Sequence, residues 1–294
     1  MRTAIAFIKT LRLHQWTKNL LVFAALIFSR NLGDFMMVSQ ALFAFLAFCF
    51  LSSSVYVIND IIDADRDRAH PVKRFRPIAS RQLDSRLALA GSLILLLVAG
   101  VLAVWVGRGA LFLLSLGGYF ILNLAYSTMV KKVVVADVMF IAFGFLLRVA
   151  AGGLAVGVEV SHWLIICTFF GATMLASCKR RAELHAADGN NETRAVLSDY
   201  SSSLLDIYIA ISATATINAY ALYTVSERTL HEFNTTHLIY TVPVVMYGIS
   251  RYLYLVYCRG TGEDPAAVLV RDPGMIVAIL LWLGLSFGIL YKAG

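Results

Sequence analysis

Charge is scarce in this chain. Only 15% of its 294 residues are Asp, Glu, Lys or Arg, while 59% are hydrophobic. A soluble globular protein carries roughly 25% charged residues, so the shortage excludes that class, and the apolar excess excludes disorder. Cysteine is sparse as well. Cys49, Cys167, Cys178 and Cys258 form no C-x-x-C pair and lie in or beside apolar runs. That excludes a disulfide scaffold and makes them small core residues. The histidines His14, His70, His162, His185, His231 and His237 have no metal-ligand spacing. No P-loop, GxGxxG, GxSxG or HExxH string occurs, so those chemistries have no signature here. Nor is there an internal repeat, which a transporter of inverted repeats would carry.

Long apolar runs are abundant. Mean hydropathy is +0.75, and a spanning helix needs about 20 mainly apolar residues. Nine segments approach this: 17–33, 38–63, 85–106, 109–129, 133–155, 161–183, 201–226, 236–257 and 273–292. The fold class is therefore all-α, a polytopic membrane protein in a single transmembrane domain over 1–294. The first 16 residues are shorter and amphipathic and read as an interfacial segment. The first apolar run has no small-residue cleavage site, so it reads as a span and not a signal peptide. With the N-terminus inside, twenty of the 25 Lys and Arg fall in inner regions, as the positive-inside rule requires. The net charge of +7 belongs to those loops, which argues for membrane contact and against nucleic acid. The two longest inner loops, 64–84 and 184–200, hold most of the polar residues, so the chemistry is expected there.

The most specific signal closes the second span: Asn59-Asp60-Ile61-Ile62-Asp63-Ala64-Asp65-Arg66-Asp67. If the helix continues, Asp60, Asp63 and Asp67 fall within about 60° of one another, along about 10 Å of one stripe. Asn59 borders that face and Asp65 points away. Like charges so close repel unless a cation lies among them. Oxygen donors of this kind suit Mg²⁺, which takes carboxylates together with substrate phosphates. The stripe reads as a Mg²⁺-diphosphate site with Asn59, Asp60, Asp63 and Asp67 as ligands. The plainer alternative is a solvated acidic helix end paired with the neighbouring arginines.

This Asn59-Asp60-x-x-Asp63-x-x-x-Asp67 string resembles the first aspartate-rich motif of the UbiA superfamily of intramembrane prenyltransferases. Length, span count and inner placement match too. More narrowly, the chain resembles the polyprenyl-phosphate phosphoribosyltransferase branch. The likeness rests on Gln15-Trp16-Thr17-Lys18-Asn19, on Asn59 to Arg68 with His70 to Ala79, on Leu147 to Gly153, and on Lys179-Arg180-Arg181-Ala182-Glu183-Leu184. The resemblance implies a UbiA-type helical fold and Mg²⁺. It also implies transfer of phosphoribosyl from 5-phosphoribosyl diphosphate (PRPP) to polyprenyl phosphate, at the cytoplasmic face of a bacterial inner membrane. The product would be a precursor of lipid-linked arabinose in actinobacterial cell walls. Association between copies stays open.

One departure discriminates within the superfamily. Ordinary members carry a second aspartate motif after the sixth span, where two acidic motifs hold a prenyl diphosphate. Here that loop opens Lys179-Arg180-Arg181-x-Glu183, and Asp188, Glu192 and Asp199 make no D-x-x-x-D pair. PRPP brings a diphosphate and a separate 5-phosphate, and the acceptor adds another anion. Lys and Arg bind such phosphates, Arg through a two-pronged fork. The alternative activity moves a prenyl diphosphate onto an aromatic or quinone-precursor acceptor.

Further candidates for substrate binding each have a structural alternative. Lys18 beside Trp16 is a phosphate ligand or an interfacial anchor. Lys73, Arg74 and Arg76, bracketed by Pro71 and Pro77, face the carboxylates or contact lipid headgroups. Tyr126 and Lys131 bind phosphate or form an aromatic belt with its basic flank. Arg148, inside a span, pairs with another helix or contacts substrate. Lys179 and Glu183 pair four apart, or Glu183 binds ribose hydroxyls, and this leaves Arg180 and Arg181 for substrate. Asp199 is expected to N-cap the seventh span. Asp60, Asp63 and Asp67 carry the catalysis, since the acceptor phosphate is already an anion and needs no strong base.

Overall fold

The computed structural model describes residues 2–69, 71–187, 195–262 and 264–292. Among them all regular structure is helical. The α-helices are α1 (Arg2–Thr10), α2 (Ala24–Phe28), α3 (Phe35–Ile62), α4 (Ala64–Ala69), α5 (Ser85–Val106), α6 (Gly109–Thr128) and α7 (Ala136–Val156). They continue with α8 (His162–Ala187), α9 (Ser202–Val225), α10 (Glu227–Phe233), α11 (Val242–Arg259), α12 (Pro265–Arg271) and α13 (Pro273–Lys292). Helix starts follow local chemistry. Asp34 accepts from the Met36 and Met37 amides at the head of α3, Asp84 from Arg86 and Leu87 at α5, and Asp264 from Ala267 at α12. Each side chain satisfies amides that the first turn leaves unpaired. Gly107 and Gly260 end α5 and α11 in the left-handed region, where glycine has no Cβ to clash. Asp199 does not cap α9; Ser201 does, accepting from the Leu204 amide at 3.1 Å.

Eight helices among the described residues are long and apolar enough to cross a membrane. They coincide with the second to ninth expected spans to within three residues at each end. The first expected span, 17–33, is wound differently. Leu13–Phe23 is a 3₁₀ helix running into the five-residue α2. At about 2.0 Å rise per 3₁₀ residue and 1.5 Å per α residue, the pair reaches about 30 Å. The pair is not among the eight helices long and apolar enough to cross a membrane.

Contacts sort the chain into two compact units, Met1–Val130 with Leu147–Glu159 and Lys131–Leu146 with Val160–Gly294. In the first, α3 packs along α5, and the core holds Phe48, Phe112 and Tyr119 with Ala44, Ala47, Ala99, Ala103 and Ala151. The alanines let backbones approach, as is usual for helices packed in lipid. Gly152 of α7 meets the 3₁₀ segment so closely that a Cβ there would collide with the Val22 backbone. A smaller cluster of Ala6, Val57, Ala64, Ile78, Leu83 and Ala88 fastens α1 and the 71–84 loop to the end of α3. In the second unit α8 lies along α9 and α11 along α13, around Met174, Ile209, Ala213, Tyr252, Leu255 and Met275.

Candidate active site

The acidic stripe is formed almost as a continuous helix. Although α3 ends at Ile62 and α4 begins at Ala64, the Asp63 amide still donates to the Asn59 carbonyl at 2.9 Å. The Asp67 amide likewise donates to Asp63 at 2.8 Å. Asp60 and Asp67, seven residues apart, therefore share a face. Both side chains are buried, 4% and 5% exposed. Asp65 is turned outward and pairs with Arg68. Asp63, at the break between the helices, is more exposed and its carboxylate is 3.8 Å from Arg66.

Two guanidinium groups cover the buried pair. Arg76 donates from a single nitrogen, Nη1, to Asp60 Oδ1 at 3.1 Å and to Asp67 Oδ2 at 2.6 Å. Arg12 donates from Nη2 to the same Asp60 Oδ1 at 2.5 Å. The sequence explains how Arg76 is delivered. It caps a 3₁₀ turn over Lys73–Phe75 and is held extended at φ −61°, ψ 142°, as a residue before proline must be. Ile78 and Ala79 behind it are buried. Arg12 sits at a left-handed kink, φ 52°. There Ser53 donates to the Leu11 carbonyl, Trp16 donates to Ser53, and the Arg12 guanidinium lies 5.1 Å from the Tyr56 ring centre. Sequence reasoning assigned Arg12 to the interfacial segment and missed it. Its partner is 48 residues away, and no local pattern announces that pairing.

The other expected residues of the first unit are placed differently. Asn59 lines a narrow crevice with Val55, Ile58, Phe120 and Leu124, on the side of α3 that meets α6. Arg74 is exposed, its guanidinium over the Phe75 ring, and Lys73, Lys18 and Tyr126 are half-buried. Arg148 is buried at the centre of a polar network. It donates to Asn19 Oδ1 at 2.7 Å and to the Tyr119 hydroxyl at 2.5 Å, and lies over the Tyr119 ring. Asn19 in turn donates to Ser52 Oγ at 3.2 Å and Cys49 Sγ at 3.3 Å. Asn19 and Tyr119 thus position the arginine, a role not assigned to them from the sequence.

The second unit has its own charged cluster. Arg180 is 1% exposed and donates from Nε to Asp137 Oδ2 and from Nη1 to Glu183 Oε2, both at 2.5 Å. Lys179 stands 4.0 Å from Glu183. The Tyr200 hydroxyl donates to Asp137 Oδ1 at 2.7 Å and accepts from the Val135 amide at 2.8 Å. Burial first, and the neighbouring Asp137 carboxylate after it, push the Tyr200 hydroxyl well above its usual range, so it stays protonated. Val135 adopts φ 68°, a costly conformation for a β-branched residue. Arg180 and Arg181 are therefore not left unpaired, as the Lys179–Glu183 reading expected. Arg181 donates to Asp206 at 2.6 Å and lies 4.0 Å from the Tyr257 ring centre. Lys131 is half-buried in a 3₁₀ turn. Residues 188–194 of the 184–200 loop, with Asp188 and Glu192, lie outside the described residues, as does His70.

The many apolar helices define a multi-pass membrane protein, and one of them ends in a buried carboxylate pair. A profile of the UbiA prenyltransferase family matches residues 20–271, and the chain belongs to that family. It is 32% identical to the decaprenyl-phosphate phosphoribosyltransferase of Mycolicibacterium smegmatis, over 94% of this chain and 90% of that one. It is 34% identical to the protein of the same name from Corynebacterium glutamicum, over 95% and 85%. Among solved structures it is similar to a UbiA homolog from Archaeoglobus fulgidus bound to GPP and Mg²⁺. That likeness has a TM-score of 0.72 at 19% identity and covers 97% of this chain and 99% of the other.

Proposed function

We propose that this protein transfers 5-phosphoribosyl from PRPP to a polyprenyl phosphate, releasing diphosphate and forming polyprenyl-phosphoribose. The curated relatives carry a phosphoribosyltransferase name over nearly their full length. The observation that carries the reading is the convergence of two buried carboxylates on one cationic point beneath a pair of arginines. Anionic substrates with a divalent ion suit such a place. A prenyl diphosphate donor would favour a second acidic motif, and Arg180 and Glu183 stand at that point of the chain.

The residues fit Mg²⁺. Asp60 Oδ1 and Asp67 Oδ2 both lie within hydrogen-bond reach of one nitrogen, so their oxygens already face a common cation. Mg²⁺ binds through one or two carboxylates plus substrate phosphates. Among the described residues no group of three or more carboxylates, histidines or cysteines is gathered for a metal, so the pair is its core. Asp63, at the break between the helices, is the further oxygen donor proposed for it, while Asn59 lies toward α6. When bound, the ion supplies charge neutralisation of the departing diphosphate. Asp60 and Asp67 hold it. Arg76, Arg12, Lys73 and Arg74 bind donor phosphates. Two other candidate cations of the first unit, Lys18 and Arg148, with Tyr126, are assigned to phosphate recognition. The acceptor's phosphate attacks the anomeric carbon as a preformed anion, so no side chain has to remove a proton. Its polyprenyl tail stays in the bilayer. The site faces the cytoplasm of a bacterial inner membrane, and the loop 64–84 carries its polar groups.

The test is a transfer assay on purified protein, with polyprenyl phosphate as acceptor and PRPP or geranyl diphosphate as donor. PRPP is expected to be consumed, and Asp60→Asn to lower turnover at least a hundredfold while the protein still folds. Consumption of geranyl diphosphate alone would overturn the assignment in favour of prenyl transfer.

A further inference from the structure

The arginines over the aspartate pair occupy the very oxygens that a metal needs. Asp60 Oδ1 is held by both guanidinium groups, and Asp67 Oδ2 by Arg76. The carboxylates are buried, whereas Arg12 and Arg76 are 26% and 30% exposed. The cations form the lid and the anions the floor. Two carboxylates and two guanidinium groups sum to zero charge. Adding a divalent ion alone, with both arginines in place, would leave four positive charges against two negative ones. Adding it together with a diphosphate restores the balance, because the phosphates give the displaced guanidinium groups a new partner. Arg is built for that exchange, since one fork fits carboxylate and phosphate alike.

We propose that Arg12 and Arg76 stand in for the metal in the donor-free protein and pass to the donor's diphosphate when it arrives with the metal. Metal and donor then load together, and the aspartates exclude a lone divalent ion. This rests on the metal-diphosphate reading above and adds to it an ordering, and a role for Arg12. The two arms of the lid are independently anchored. Arg12 is fixed by the kink between α1 and the 3₁₀ segment, and Arg76 by the turn before Pro77. Either one can therefore be removed by itself.

The experiment measures Mn²⁺ binding to the purified full-length protein without donor, by the loss of the free-ion electron paramagnetic resonance signal. Wild type is expected to bind Mn²⁺ weakly. Arg76→Gln and Arg12→Gln are each expected to bind it at least tenfold more tightly. Both should also bind inorganic pyrophosphate, at saturating Mn²⁺, at least tenfold more weakly than wild type. Asp60→Asn must remove the gain in either background. Binding of Mn²⁺ to both Gln variants no tighter than to wild type overturns the exchange. Mn²⁺ binding that Asp60→Asn leaves untouched overturns the metal site itself, and with it the functional reading. If one Gln variant does not fold, the other carries the test alone.

Discussion

The cluster around Arg180 permits a decisive perturbation, because it separates a structural cation from a substrate ligand. Arg180 and Asp137 are 1% and 0% exposed and 2.5 Å apart, with Glu183 on the other prong and Tyr200 on the other carboxylate oxygen. Removing one partner of a buried pair leaves an uncompensated charge and costs about 3–5 kcal/mol. Asp137→Asn is expected near the lower end, about 3 kcal/mol, because Glu183 still neutralises the guanidinium. That is more than a hundredfold in the folded-to-unfolded ratio. Arg180→Met strands Asp137, which then has the Tyr200 hydroxyl for support, and is expected at about 3–5 kcal/mol. The double variant leaves neither charge of the pair. Its cost should fall short of the sum of the singles by about 2 kcal/mol or more, as residues in one network do. Glu183 by then is partly exposed and can hydrate.

Equilibrium unfolding in mixed micelles, followed by tryptophan fluorescence, gives the three free energies. In the same preparations the Michaelis constant for PRPP is expected to stay within about twofold of wild type. Two results would refute the reasoning. Additivity of the singles within about 0.5 kcal/mol would show that the pair does not couple. An Arg180→Met protein of normal stability with a strongly raised Michaelis constant would make the arginine a phosphate ligand.

Two further expectations concern the scaffold. Gly152→Ala puts a methyl group against the Val22 backbone and should destabilise by about 1–3 kcal/mol, the usual cost of overpacking. A thermal melt unchanged from wild type would mean that the 3₁₀ segment gives way. Asp272 receives both prongs of Arg251, at 3.1 and 2.9 Å, and the Met275 amide at 2.9 Å. Arg251's hydrogen bonds are the largest cause holding its carboxyl below the ordinary range. A lowered folded-state value stabilises above the unfolded value of about 4, and that contribution disappears as pH falls through the depressed one. Asp272→Asn should lower the melting temperature at pH 7 and shrink the difference from wild type toward pH 3; a constant difference would exclude the carboxylate's charge as the cause.

Hydropathy made most of the fold legible, because a spanning helix needs a run of one length and one polarity. The eight long helices follow from that alone. What hydropathy could not reveal was winding. Residues 17–33 are apolar enough to suggest an ordinary span, yet Leu13–Phe23 winds as a 3₁₀ helix into the start of it. Asn19, buried within that stretch, is committed to Ser52, Cys49 and Arg148. The close seat of Gly152 on Val22 also limits how the segment can lie. Both constraints come from residues far away in sequence.

The candidate site divides along the same line. Helical periodicity was enough to put Asp60 and Asp67 on one face and Asp65 on the other, because a spacing of seven closes nearly two turns. Pro77 was enough to mark Arg76 as held in place. Which cation meets which anion was not legible, since Arg12 reaches Asp60 across 48 residues and Arg180 reaches Asp137 across 43. The two pairs also differ in kind. Arg180 is as buried as the carboxylate it holds, so leaving would strand a charge in the protein interior. Arg12 and Arg76 cover their carboxylates from the exposed side, so they can trade partners when an anion arrives. Reading function from a charged pair in such a protein therefore depends less on the distance between the charges than on which of the two faces water.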